Sequence, residues 1–471
     1  MGRRQTIRWW RWRREMRPLA TLAFPIMSGM LSQMLIGLTD TLMVGRVGVV
    51  ELAAASFVHT ITHVPLVFAF GLLSSIGVLT AQAFGAKQPG EAGEVLRHGL
   101  LVSAGCGIGT FLVLLCIWPF LHIFGQPTDV VREARPFLLL FGASMIPGLI
   151  AHGCKQFSEA LNKPWAATLI LLGGVALNAF LNWVFIYGNL GAPALKLQGS
   201  GLATLISRTI MAACLFAYVL CAADLRPFHP LNWWSRLKRD TIVPLLRLGW
   251  PVATQHLLEV GAFVIAALMI GWISADAIAA HQVAITCAAT TFMFPLGLGM
   301  ATCVRVGQAW GAGQYLRLRR IGWLGITWAG VMMAFFGVVF VFGRDLLAAA
   351  FLPSSTVRLL AAQLLLVAAV FQIADGIQVA AISALRGLGD VRIPAVIAAL
   401  AYWFVAVPLG SALAFGAKQG AVGMWIGLAT GLLVAAIGLS WRFHRKTVAL
   451  KSAKRPLRDI APLPKTEELV T

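Results

Sequence analysis

Apolar residues run through the chain in long stretches, and polar residues gather in short segments between them. Twelve stretches are long enough to cross a hydrocarbon layer of about 30 Å. They lie near residues 19–44, 52–80, 95–120, 136–161, 165–187, 199–223, 246–271, 278–304, 318–342, 359–386, 393–415 and 420–440. In one of them, FQIADGIQVAAISALRG (Phe371–Gly387), both faces read as dry although Asp375 stands near its start. The pattern predicts an all-α membrane protein of twelve transmembrane helices. Composition agrees, at 59% hydrophobic and 12% charged. An ordinary soluble domain is about half apolar and a quarter charged.

The chain aligns with itself. Residues 18–86 match 244–312 without gaps, with about 19 of roughly 69 positions identical. PLATLAFP answers PLLRLGWP and AQAFGA answers GQAWGA, and Pro18/Pro244, Pro25/Pro251, Gly45/Gly271 and Gln82/Gln308 pair off. ALNKP near 160–164 echoes ALRGLGDVRIP near 384–394. This divides the chain into a basic tail (1–18), an N-lobe of six spans (19–223), a linker (224–245), a C-lobe of six spans (246–440) and a C-terminal tail (441–471). Six is even, so both halves cross in the same sense. Substrate sites of such parallel repeats tend to lie between the halves. Pro25 and Pro251 each remove one backbone hydrogen bond early in equivalent spans and invite a kink.

The net charge of +20 raises nucleic acid as a partner, but its distribution opposes that. With the N-terminus inside, about 28 of the 38 Lys and Arg fall on that side. About seven fall opposite and about three within spans. That is the positive-inside pattern, which puts both tails in the cytoplasm and makes the bilayer, with its anionic lipid, the partner rather than nucleic acid. The head IRWWRWRREMRP reads as an interfacial anchor with Trp at headgroup level. The tail from Arg442 on is polar and is expected to be partly disordered. Seven cysteines in apolar runs, odd in number and without a CxxC pair, read as small core residues.

Three acids lie inside spans: Asp40, Glu259 and Asp375. An ionised Asp at mid-membrane costs about 2.5–3.5 kcal/mol on the insertion scale, and the default reading is an ion or proton site facing a wet cavity. The alternative is an ion pair with Lys155, Arg208 or Arg305. Lys155 has Glu159 four residues on as a local partner, Arg208 is a rival partner for an N-half acid, and Arg305 near a span end is expected to snorkel. Low dielectric disfavours the charged form of a carboxylate, so such groups can hold a proton and trade it for another cation. Glu259 and Asp375 are on different spans of one half and could converge on one ion. Asn178 and Asn182 share a helix face and could line a polar pocket with Asp40, or simply hydrogen-bond between helices.

Other signals carry less. His59 and His63 are spaced i, i+4 but have no third ligand, so no metal site is expected. GCGIGT (105–110) lies inside a span and reads as close helix packing rather than a nucleotide loop. No Walker, GxSxG or HExxH sequence occurs, which argues against direct ATP drive and against hydrolase chemistry.

Taken together, DTLMVGRVGVVELAAAS (40–56), LNWVFIYG (181–188), LLEVGAFVIAALMIG (257–271), AAHQVAITCAATTFMFPLG (279–297), RVGQAWGAG (305–313) and DGIQVAAISALRGLGD (375–390) resemble the multidrug and toxic compound extrusion family, in its NorM-type branch. The resemblance covers roughly residues 18–440. It implies two pseudo-symmetric six-helix lobes around a central cleft and cation-driven drug efflux by alternating access. It also implies coupling-ion binding by Glu259 and Asp375, an N-lobe site at Asp40 with Asn178 and Asn182, and help from Gln282 and Phe292 in holding ion or drug. The position four before the C-lobe aspartate is often Tyr in that branch. Here it is Phe371, whose face can attract a cation but which has no hydroxyl.

The expectation is therefore a secondary antiporter, not an enzyme, exchanging Na⁺ or H⁺ for amphipathic, mostly cationic small-molecule drugs. It needs no cofactor beyond the transported ion and works as a monomer in the bacterial inner membrane. A lipid-linked oligosaccharide flippase would need several basic residues in its cleft to meet pyrophosphate. A polytopic enzyme would need an Asp or His cluster at a surface loop, and a channel is poorly served by two unlike lobes.

Overall fold

The structure is a computed structural model that describes the backbone of residues 2–351 and 355–452 and the side chains of residues 14–351 and 357–450. Among the described residues, twelve helices are long and apolar enough to span a membrane. They are α1 (Gly2–Gly45), α2 (Val49–Gly85), α3 (Pro89–Ile117), α4 (Thr128–Ala160), α5 (Pro164–Tyr187), α6 (Lys196–Cys221), α7 (Arg239–Gly271), α8 (Ala275–Gly311), α9 (Tyr315–Phe351), α10 (Ser355–Gly387), α11 (Arg392–Gly416) and α12 (Gly420–Ser452). Their surfaces invert the soluble pattern. Phe342, Leu346, Phe404, Val370 and Ile437 are exposed, while Asp40, Asn178, Asn182, Gln372 and Asp375 are buried. Hydrocarbon is the solvent that such an arrangement suits, because helices satisfy their own backbone polar groups there.

The repeat is written into the helix ends. α1 and α7 end at Gly45 and Gly271, α2 and α8 each have 37 residues, and α3 and α9 begin at Pro89 and Tyr315. Each position recurs 226 residues later. The chain forms two compact units, and their limits obey the same offset. Of the described residues, one unit holds those up to Met27 and those from Thr254 to Ser452, and the other holds Ser28–Ala253. The first unit centres on α10, packed by α8, α9 and α12, and the second on α4, packed by α2, α3 and α6.

These limits differ from lobes beginning at residues 19 and 246, and glycine gives the reason. A Cβ on Gly297 of α8 would come within 2.8 Å of the Met27 Cα, and one on Gly71 of α2 within 2.5 Å of the Ala253 Cα. The bare backbones draw the first part of α1 against α8 and the first part of α7 against α2. Met27 and Ala253 are themselves repeat partners, two residues past Pro25 and Pro251.

Four other expectations change. The basic head is not a separate tail: its backbone continues α1 from Gly2. Residues 441–452 are the end of α12, because Arg, Lys, Ala and Leu are good helix formers and no proline interrupts them; the rest of the expected tail lies outside the described residues. Of the glycines in GCGIGT only Gly107 meets another helix, at Ile146 of α4, whereas Gly105 and Gly109 have open space around them. Arg305 does not snorkel freely, since its Nη2 lies 3.2 Å from Glu15 Oε2, where Arg317 binds as well. The linker is held within its unit: Arg97 of α3 donates to the carbonyls of Asn232, Ser235 and Arg236.

Candidate functional site

The mid-span acids fall in two clusters, one in each unit. In the Ser28–Ala253 unit, Asp40 lies on α1, five residues before the helix ends at Gly45. Asn182 Nδ2 donates to Asp40 Oδ1 at 2.5 Å and to Asn178 Oδ1 at 3.2 Å. Asn178 Nδ2 reaches Thr204 Oγ1 on α6 at 3.4 Å. The one-turn spacing of the two asparagines on α5 makes this chain possible, and Thr204 is a member the sequence did not suggest. The two asparagines hydrogen-bond between helices, to Asp40 of α1 and to Thr204 of α6.

Asn182 Oδ1 is buried and has no hydrogen-bond partner. An orphan acceptor beside a carboxylate is an oxygen-rich spot with spare lone pairs. Arg208 stands within electrostatic reach of Asp40, yet among the described residues the two form no ion pair. Its guanidinium instead donates to Ser144 Oγ at 2.9 Å and lies over Phe141, 4.9 Å from the ring centroid. Lys155 is taken by Glu159 at 3.4 Å, with both side chains 1% exposed. His59 packs edge-on to Phe137 and Phe141.

The other cluster belongs to the Thr254-onward unit. Glu259 lies on α7, twelve residues before Gly271. Its Oε1 accepts from the Tyr402 hydroxyl of α11 at 2.9 Å, and its Oε2 accepts more weakly from Gln255 Nε2 at 3.4 Å. His256 Nδ1 is 3.9 Å from Oε2. Asp375 of α10 is buried and within electrostatic reach of Glu259. Among the described residues neither acid forms an ion pair with Lys or Arg; Arg386 of α10 acts on Glu259 only through space. On α10, Gln378 Oε1 and Gln372 Nε2, three residues either side of Asp375, are buried without partners. Gln372 accepts from Thr291 of α8.

Aromatic rings wall this cluster. Phe371 is buried, its centroid 6.2 Å from Phe263 and 5.4 Å from Trp425, and Phe263 also meets Tyr402 at 6.2 Å. Trp425 Nε1 donates to His281 Nδ1 at 3.1 Å. Phe371 thus stands in the wall beside Asp375, while Gln282 and Phe292, expected to help hold ion or drug, are less buried. Gln282 is exposed, with Thr286 on its own helix as its partner, and Phe292 is half-buried.

Tyr402 is a member of the site that periodicity and charge do not mark. Only four tyrosines occur in the chain. Tyr187, Tyr218 and Tyr315 lie at or near helix ends, whereas Tyr402 is deep in a span. A lone hydroxyl in an apolar run requires a buried partner, as an acid does.

Acids set inside the apolar helices of each unit, among twelve helices long enough to span a membrane, define a polytopic transporter rather than a catalyst. The MatE family model matches residues 25–184 and 251–411, once in each half, and the chain belongs to that family. It is 37% identical to the "Probable multidrug resistance protein NorM" of Mesorhizobium japonicum, over 92% of this chain and 95% of that one. It is 34% identical to the "Multidrug resistance protein NorM" of Burkholderia vietnamiensis, over 93% and 95%. Among solved structures, the eukaryotic MATE transporter AtDTX14 superposes with a TM-score of 0.84 at 21% identity, covering 94% of this chain and 99% of that one. The Vibrio cholerae MATE transporter VcmN in the bent form gives 0.83 at 20% identity, over 94% and 98%. At such identities the superposition speaks for the fold.

Proposed function

We propose that this protein is a cation-coupled multidrug efflux antiporter of a bacterial plasma membrane. It exports amphipathic, mostly cationic drugs by alternating access, in exchange for inward Na⁺ or H⁺. The observation that carries this reading is the state of the mid-span acids, Asp40 and Asp375 buried and Glu259 partly so. Glu259 accepts from neutral Tyr402 and Gln255 and faces the charge of Asp375, Asp40 accepts from Asn182, and among the described residues none of the three pairs with Lys or Arg. A permanently paired acid has nothing to exchange, whereas an unpaired one gains by taking up a cation.

Glu259 and Asp375 bind the coupling ion, with Phe371 offering a ring face, and Asp40, Asn178 and Asn182 form a second polar site. Gln282 and Phe292, less buried, meet the drug. Ion and drug favour different arrangements of the helices, and only that difference in affinity lets the gradient drive export. The names of the relatives support the drug class. The excess of Lys and Arg on one side supports cytoplasmic termini, and the protein acts as a monomer.

The test is drug transport in proteoliposomes, following a fluorescent cation such as ethidium under an imposed Na⁺ or H⁺ gradient. One of the two gradients drives transport in the wild type. Asp375→Asn and Glu259→Gln each abolish it while the protein still elutes as a folded species. Gradient-independent transport, or variants that match the wild type, would sink the proposal.

A further inference from the structure

α11 is not a uniform helix. Its turns at Ala401–Ala406 and Ala412–Gly416 are π-helical, on either side of Pro408. Proline has no N–H to give and its ring presses on the carbonyl four residues back. Single π turns inside α-helices occur often at functional sites. The first of these turns carries Tyr402 and Trp403, and both are used. Tyr402 donates to the Glu259 carboxylate at 2.9 Å, and Trp403 Nε1 donates to the Leu258 carbonyl at 3.0 Å. Two consecutive residues of α11 therefore hold two consecutive residues of α7. On an α-helix successive side chains diverge by about 100°. The wider π turn narrows that angle and lets both point at one neighbour.

Tyr402 is 1% exposed and walled by Phe263, so its hydroxyl has no water to turn to. Phe371 has no oxygen, and Gln255 is at the long limit of a hydrogen bond. The tyrosine is the one close donor to this acid among the described residues. We propose that Tyr402 is a positioning residue for ion coupling: it stabilises Glu259 as an empty anion, and a coupling cation binds there only by displacing this hydrogen bond. This inference rests on the antiport reading and adds a residue that sets the ion affinity. The π turn is then the element that registers whether Glu259 is empty or occupied.

The other groups facing Glu259 are His256 one turn back on α7, Asp375 and Arg386 on α10, and Gln255. None of them supplies a short donor that could replace the hydroxyl. Without Tyr402 the empty carboxylate is less well solvated, so whatever neutralises it binds more tightly and leaves more slowly. A hydrogen bond to a charged group supports a shift of about tenfold.

The experiment measures ethidium transport in proteoliposomes against the external concentration of the driving cation, with Na⁺ titrated at fixed pH and pH titrated without Na⁺. Tyr402→Phe keeps the ring and removes only the oxygen. It is expected to reach half-maximal transport at about tenfold lower concentration of the driving cation and to show a lower maximal rate. Trp403→Phe removes the neighbouring bond and keeps the wild-type half-saturation. An unchanged half-saturation in Tyr402→Phe overturns the proposal. An equal shift in Trp403→Phe does so too, by assigning the effect to packing of the turn. If the wild type is not driven by either cation, the antiport reading itself has failed. If it is driven and Glu259→Gln is dead while Tyr402→Phe matches the wild type, only this inference has failed.

Discussion

Lys155 and Glu159 show what a buried charge looks like when it is matched. They are one turn apart on α4 and 3.4 Å from each other, and neither is exposed. Removing one partner leaves the other charged without compensation, which costs about 3–5 kcal/mol, whereas replacing both by apolar residues is often neutral or stabilising. Lys155→Met is therefore expected to lower the thermal unfolding temperature of the detergent-purified protein, and Lys155→Met with Glu159→Leu to restore most of it. Asp40 has no such partner, so Asn182 matters more there. Asn182→Leu strips the close donor from Asp40 and is expected to reduce coupled transport severalfold, read in the same ethidium assay. The acids were legible in the sequence because charge in an apolar run is conspicuous. Tyr402 carried a fainter mark, as the one tyrosine deep in a span, and Thr204 carried none, because a threonine hydroxyl can bond its own helix and its partner is not written in the sequence.

At the scale of elements, every span was visible as a run of apolar residues, and their ends were not. α9 continues through Arg344 and Asp345 to Phe351 and α12 through Arg442–Lys446 to Ser452, because a helix ends where its hydrogen bonds end rather than where a polar residue first interrupts the apolar run. The π turns of α11 were equally hidden: Pro408 predicts a break, not its form. Close approach of helices is the element-scale property with the sharpest test. A methyl group on Gly297 would collide with the backbone at Met27, so Gly297→Ala is expected to cost about 1–3 kcal/mol. Gly105→Ala meets nothing within 4 Å and is expected to leave the unfolding temperature unchanged.

For the whole molecule, the apolar runs foretold twelve spans and the internal alignment the 226-residue offset at which the ends of α1–α3 recur in α7–α9. Neither foretold where the compact units divide. That depends on Gly71 meeting Ala253 and Gly297 meeting Met27, pairs far apart in the sequence that no local pattern ties together. Topology is also testable at this scale. Single cysteines placed at Lys238 in the linker and Lys418 between α11 and α12, in a chain freed of its seven native cysteines, should react oppositely with a membrane-impermeant maleimide. The first is shielded in intact cells and the second labelled.

The duplication copied the scaffold without its acids. The repeat partner of Asp40 is Ala266, and that of Glu259 is Gln33. Asp40 therefore lies about 8 Å from the end of its helix and Glu259 about 18 Å from the end of its own, at 1.5 Å per residue. A cation entering from that end traverses only a small part of the transmembrane voltage to reach the first acid and a much larger part to reach the second. On the proposed antiport, with a full crossing worth about 2.3 kcal/mol per 100 mV, membrane potential is expected to pull on occupancy of Glu259 far more than on that of Asp40, which would make the half that carries Glu259 the voltage-dependent partner.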